Sequence, residues 1–413
     1  MHYYCNIFLL ILLYCEKCVI FSFPMEDGPV PVQLSPVIFV PGDGGSQVDA
    51  RLDKPSVVHY ICDKKTDNWF NIWLNMELLV PYVIDCFIDN VKLYYDNVTR
   101  TTHNAPGVEL RIPGWGNSEV VEYIDPSKAS KGAYFINIAD GLVTALGYER
   151  RRNLKGAPYD FRKAPNENKD WFINMKKLVE DTYQQNNNTR VTLVTHSMGS
   201  PMTLLLLQYQ SQEWKTKYIR RMISIAGAWA GTFKAVKVFA MGDDLGAFAL
   251  SAKTMRDQQI SSPSLAYLLP SPYFWKDGEV LIQTPGKNYT FSELEQYFND
   301  INYPTAWEMR KDNIKYVSNF SPPDVELHCI YSTGLPTVEG LIYKTNDIAN
   351  EVPKLIYGDG DGTVNSRSLQ SCNQWKALQK PEIKSIEVSN AEHMKILADE
   401  RVIKTIQDIM RYG

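Results

Sequence analysis

Val191-Thr192-Leu193-Val194-Thr195-His196-Ser197-Met198-Gly199 is the stretch that decides the fold. An apolar strand runs into a serine, and a helical pattern begins at once with Met202, Leu204, Leu205 and Leu206. Such a sharp strand-to-helix turn presents the serine hydroxyl at a helix N-terminus, where free N–H groups and the helix dipole favour negative charge. Gly199 lets the two backbones cross closely. Thr195 stands where this elbow commonly has glycine, and the plain alternative is an ordinary strand–turn–helix with an incidental serine.

The flanking sequence supplies what such a serine needs. Upstream, residues 36–40 form a short apolar run closed by Pro41-Gly42-Asp43-Gly44-Gly45, which reads as a buried strand entering a glycine-rich loop. An oxyanion hole here would use the N–H of Met198 and a second donor from that loop. Downstream, Tyr357-Gly358-Asp359-Gly360-Asp361-Gly362-Thr363-Val364 follows an apolar strand. A triad acid must accept from a histidine ring while the backbone holds it, and the pattern leaves Asp359 and Asp361 both open. A calcium loop is a poor reading, because D-x-D-G lacks the later ligands and the distal glutamate. In the order serine, acid, histidine, only His393 lies beyond these aspartates. It sits in a polar loop between a strand near residues 383–388 and a helix near 395–410.

Trp171, Met175, Leu178 and Val179 fall at helical spacing, and residues 325–331 and 354–357 read as returning core strands. Alternating strands and helices argue for an α/β fold with a mostly parallel sheet. Two stretches interrupt it: an aromatic excursion over 62–116, and a Gly-, Ser-, Pro- and Tyr-rich cap or lid over 232–323. The expected organisation is a signal peptide at 1–24, the start of the core at 25–61, the excursion, core with the elbow at 117–231, the cap, and core completing the site at 324–413.

Composition narrows the function classes. The 413 residues are 44% hydrophobic with a formal net charge of −4, which excludes the basic excess of a nucleic-acid binder. The interrupted apolar N-terminus reads as a secretory signal. It holds Cys5, Cys15 and Cys18, which leaves Cys62, Cys86, Cys329 and Cys372. An even count in an exported chain implies two disulfides; of the three possible pairings, Cys62–Cys86 with Cys329–Cys372 closes the shortest loops. No CxxC spacing points to zinc. Sequons at Asn97, Asn187 and Asn288, with a weaker one at Asn319, suit the same route. Read as a helix, residues 69–80 put Trp69, Ile72, Trp73 and Met76 on one face; spacing alone favours packing on the core over contact with lipid.

With these motifs in view, the chain resembles the family of lysosomal phospholipase A2 (group XV) and lecithin–cholesterol acyltransferase. The resemblance runs from about residue 35 to the C-terminus. Its landmarks are Val40-Pro41-Gly42-Asp43, Lys54-Pro55-Ser56-Val57-Val58-His59-Tyr60, Gly156-Ala157-Pro158-Tyr159-Asp160-Phe161-Arg162, His196-Ser197-Met198-Gly199 and Gly358-Asp359-Gly360-Asp361-Gly362-Thr363-Val364-Asn365. Departures fall at Thr195, 226–231 and 241–251. The resemblance implies an α/β-hydrolase fold with Ser197 as nucleophile, Asp361 as acid, His393 as base, and Asp43 and Met198 at the oxyanion hole. It implies the same two disulfides and membrane contact through Trp69, Ile72, Trp73 and Met76. It further implies no metal or cofactor, and an acyl-enzyme that passes a phospholipid acyl group to water or to a lipid alcohol such as ceramide. A peripheral, monomeric protein in the lysosome or secreted, with no nucleic-acid partner, completes the picture. The alternatives are a secreted sterol acyltransferase acting on lipoproteins and a non-catalytic lipid-binding protein.

Overall fold

The computed structural model describes residues 34–128, 132–245 and 251–412; the expected signal peptide and its three cysteines lie outside them. Six parallel strands form the central sheet: β1 (Val37–Val40), β2 (Leu154–Gly156), β3 (Val191–His196), β4 (Ile219–Ile225), β5 (Leu327–Tyr331) and β6 (Ile383–Glu387). Their order is β2-β1-β3-β4-β5-β6. All residues of β1, β3 and β5 are buried, because helices cover both faces of such a sheet and leave no polar side to alternate with. Helix α1 (Lys169–Gln185) turns Trp171, Met175, Leu178 and Val179 inward, as their spacing predicts. Helix α2 (Gly199–Gln208) leaves β3, and α3 (Phe233–Met241) opens the stretch expected to form the cap. The last helix, α4, runs over Glu400–Tyr412 and buries Val402, Ile406 and Met410; residues 395–398, expected within it, form a separate 3₁₀ turn.

Two expectations about secondary structure are overturned. Residues 354–357 do not return to the central sheet. They begin the strand Lys354–Gly360, which pairs antiparallel with Leu335–Ile342 in a separate four-stranded sheet. That sheet also takes Val280–Gln283 and Asn288–Thr290, so it joins strands from both sides of residue 323. Much of Lys354–Gly360 faces solvent, with Tyr357 56% exposed, and a strand buried on both faces would not tolerate this. The second correction concerns residues 69–80, which are not a helix. Phe70–Trp73 is a strand paired with Val48–Leu52, itself paired with Val108–Arg111, and Met76–Leu79 is a single 3₁₀ turn. Aromatic and β-branched residues with a partner strand at hand favour the ladder over an isolated helix.

Candidate active site

The elbow forms as the sequence requires. Ser197 holds φ at 54°, in the left-handed region, at the point where β3 gives way to α2, and its N–H donates to Ile225 O at 3.1 Å. A methyl group at Gly199 would lie 2.5 Å from the carbonyl oxygens of Val40 and Pro41, so β1 and α2 touch only because that position is glycine. Position 195 carries no such restriction. Thr195 Oγ1 lies 2.8 Å from Ser200 Oγ, which lies 2.9 Å from Ser224 Oγ. This buried hydroxyl chain gives the side chain a polar home, which explains why threonine is accepted where glycine is usual.

Ser197, His393 and Asp361 form one hydrogen-bonded line. His393 Nε2 is 2.9 Å from Ser197 Oγ, and His393 Nδ1 is 2.6 Å from Asp361 Oδ2. Asp361 is fully buried. Its other oxygen, Oδ1, accepts the N–H groups of Thr363 at 3.0 Å and Val364 at 2.7 Å. The glycine-rich turn folds back to supply both donors. The His393 N–H donates to Asp361 O at 3.0 Å. Asp359 stands apart: it is exposed, accepts the Gly334 N–H and is hydrogen-bonded to the Ser366 hydroxyl. Of the two aspartates that the sequence pattern left open, Asp361 is the one that meets the histidine ring.

The glycine-rich loop lies against the elbow. A methyl group at Gly42 would sit 2.7 Å from Ser197 Cβ and 3.3 Å from Met198 N. Three aromatic side chains from separate segments pin this loop. Tyr134 Oη accepts the Gly42 N–H at 2.9 Å, Tyr159 Oη donates to Pro41 O at 3.0 Å, and Trp73 Nε1 donates to Gly44 O at 2.8 Å. Among the described residues no protein acceptor takes the N–H of Asp43 or of Met198. Asp43 is an exposed residue, yet the groups packed around its carboxyl push its pKa up to about 7, against the lowering effect of the Gly44 N–H and of Lys234.

The expected lipid contacts need correction. Ile72 is wholly buried and Trp73 is 8% exposed; their strand pairing turns both inward, and Trp73 serves the loop instead. Trp69 is half-buried beneath the guanidinium groups of Arg51 and Arg111, at 5.1 and 4.4 Å. Only Met76 of the four is exposed. The exposed apolar residues of this region are Val58, Tyr60, Ile61, Val80 and Tyr82, with Tyr60 97% and Tyr82 78% exposed. The Cys62–Cys86 disulfide and the His59–Asp85 pair at 3.0 Å bring their two segments together. Sequence reasoning missed them because they lie in turns, where no periodicity marks them. The second bridge joins Cys329 to Cys372, so both local pairings are present. Asn97, Asn187, Asn288 and Asn319 are all exposed. Among the described residues no helix is long and apolar enough to cross a membrane.

A serine at a β-to-α elbow, in line with a histidine and a buried aspartate at the edge of a parallel sheet, defines a serine hydrolase of the α/β-hydrolase class. The chain belongs to the lecithin:cholesterol acyltransferase family, whose model matches residues 69–400. It is 43% identical over 375 residues to the lysosomal phospholipase A and acyltransferase of Bos taurus, covering 91% of each chain. The Homo sapiens protein of that name is 42% identical, over 91% of this chain and 90% of its own. The phosphatidylcholine-sterol acyltransferase of Gallus gallus is 37% identical, over 90% and 89%. Among solved structures, the Tle4-Tli4 complex contains a chain that aligns with a TM-score of 0.50 at 14% identity, over 92% of this chain and 99% of that one. That likeness concerns the fold alone.

Proposed function

We propose that the chain is a serine phospholipase A and O-acyltransferase acting at membrane surfaces in the lysosome or after secretion. The observation that carries this reading is the unbroken line Ser197–His393–Asp361 beside two free N–H groups. His393 Nε2 removes the Ser197 proton as Oγ attacks an acyl ester of a glycerophospholipid, and Asp361 stabilises the imidazolium. The N–H groups of Met198 and Asp43 receive the oxyanion. The proton passes to the departing alkoxide, lysophospholipid leaves, and Ser197 holds the acyl group as an ester. Water then gives a free fatty acid, or a lipid alcohol such as ceramide takes the acyl group, with His393 now activating the incoming hydroxyl. The chain works as a peripheral monomer, and Asn97, Asn187 and Asn288 carry glycans. The patch of Val58, Tyr60, Ile61, Met76, Val80 and Tyr82 meets the bilayer.

The test is product analysis after purified protein meets phospholipid–ceramide liposomes, with cholesterol in place of ceramide in a parallel arm. Fatty acid, lysophospholipid and acylated ceramide are expected. Acylation of cholesterol in preference to ceramide would favour the sterol branch, and no acyl release from either would sink the reading. In the same assay Tyr60→Ser with Tyr82→Ser should slow liposome turnover by roughly tenfold, because less apolar surface enters the bilayer. Turnover of a soluble short-chain ester should be unchanged; undiminished liposome turnover would remove the patch from the membrane contact.

Asp43 gives a pH prediction. Raising pH through about 7 ionises Asp43 and puts a negative charge beside the developing oxyanion, so alkali slows the chemistry. Asp43→Asn is neutral throughout and removes that limb. With a soluble ester, the rate at pH 7.5 relative to pH 5 should rise up to about fourfold in Asp43→Asn. An unchanged ratio would show that this carboxyl does not govern the profile.

A further inference from the structure

His196, beside the nucleophile, and Tyr134 have no part in the proton transfers above, yet both are buried at the centre of the site. Tyr134 Oη is hydrogen-bonded to His196 Nδ1 at 2.5 Å, and His196 Nε2 lies 3.0 Å from the carbonyl oxygen of His393. The proton positions follow from the partners. A carbonyl oxygen can only accept, so Nε2 carries the His196 proton. Burial, and the neighbouring His393, hold the His196 pKa well below its ordinary value, so the ring is neutral and Nδ1 is a lone pair. Tyr134 must then donate to Nδ1. Burial keeps its phenol protonated, and its oxygen accepts the Gly42 N–H at 2.9 Å. A methyl group at Gly45 would fall 2.9 Å from the Tyr134 ring, so a further loop glycine clears the space in which the hydroxyl works.

We infer that Tyr134 and His196 are positioning residues that tie the oxyanion loop to the backbone of the base. The inference rests on Ser197 being the nucleophile. The line runs from the Gly42 N–H through the Tyr134 hydroxyl and the His196 ring to the His393 carbonyl. It fixes the Pro41–Gly42 peptide, one unit before the peptide that carries the Asp43 N–H, and so constrains the aim of that N–H. It also holds His393 at its carbonyl, while the Asp361 carbonyl holds the His393 N–H. Donor and base are thereby set relative to each other and not only to the sheet. The neutral state of His196 suits this place, since the His196 and His393 ring centres are 4.9 Å apart. A cation there would oppose the imidazolium formed in the transition state.

Kinetics with p-nitrophenyl butyrate test this in the full chain, with active sites counted by a fluorophosphonate probe and folding followed by thermal unfolding. Losing an oxyanion donor outright costs about 10²–10³-fold, so misaiming one through Tyr134→Phe should lower kcat per labelled site about tenfold while KM stays within about twofold. His196→Asn should do the same, and it carries the test if Tyr134→Phe does not fold. The double variant should fall no more than about threefold below the worse single, because both substitutions cut one line. Folded Tyr134→Phe with kcat within about twofold of wild type, a loss confined to KM, or losses that multiply in the double variant would overturn the inference. Wild-type protein that fails to label at Ser197 would overturn the nucleophile assignment and this inference together. Labelled wild type with an unimpaired Tyr134→Phe would overturn this inference alone.

Discussion

Ser197→Ala should abolish hydrolysis and acyl transfer together while the protein stays folded. Both activities draw on one acyl-enzyme, so no variant of the nucleophile can keep one and lose the other. In a serine hydrolase, removing the nucleophile costs roughly 10⁶-fold in kcat. The fold should tolerate the change. Alanine adds no volume, and the left-handed backbone at this position is imposed by packing that the substitution leaves in place. Only the bond to His393 Nε2 is lost. Unfolding temperature, fatty-acid release and acylated-ceramide formation are measured on the same preparation. Ester turnover within about tenfold of wild type would rule out this nucleophile, and selective survival of transfer would rule out the shared intermediate.

Asp361→Asn should cost on the order of 10⁴-fold in kcat, the scale expected when a triad histidine is held in the wrong tautomer. The geometry forces that outcome. Oδ1 of Asp361 faces the N–H groups of Thr363 and Val364, so an asparagine must keep its oxygen there and turn its NH₂ toward His393. Nδ1 of His393 then has to accept, its proton moves to Nε2, and the atom facing Ser197 is no longer a base. Asp359→Asn tests the alternative. Its carboxylate sits in solvent contact on Gly334 and Ser366, and activity should remain within severalfold of wild type, as for most exposed substitutions. Equal, mild losses at the two positions would refute the assignment of Asp361.

What the sequence discloses of this site is its local part. The elbow at Ser197 is legible because an apolar strand, a serine and a helical pattern adjoin within a few residues. His393 is legible because the order of the groups leaves no other histidine. Asp361 against Asp359 is not legible, because both lie in one glycine turn. Only the folded turn shows which carboxylate meets two backbone donors and a ring. Tyr134 gives no local signal at all, since its partners are Gly42 and His196, far away in the chain. Trp73 misleads actively. Its spacing with Trp69 and Met76 fits a helix, and only the partner strand Val48–Leu52 turns it inward. The strand at 354–357 fails for a related reason: a short apolar run states that a strand exists but not which sheet receives it.

The distance along the chain between Ser197 and His393, 196 residues, has a meaning for biosynthesis. Chains emerge from the ribosome N-terminus first, and their early parts begin to fold before the later parts exist. A chain made as far as the elbow holds a nucleophile with neither acid nor base, and one made as far as Asp361 still holds no base. Each incomplete chain thus lacks at least one member of the Ser197–His393–Asp361 line. His393 joins the line only after every strand of the central sheet, β6 included, has been synthesised.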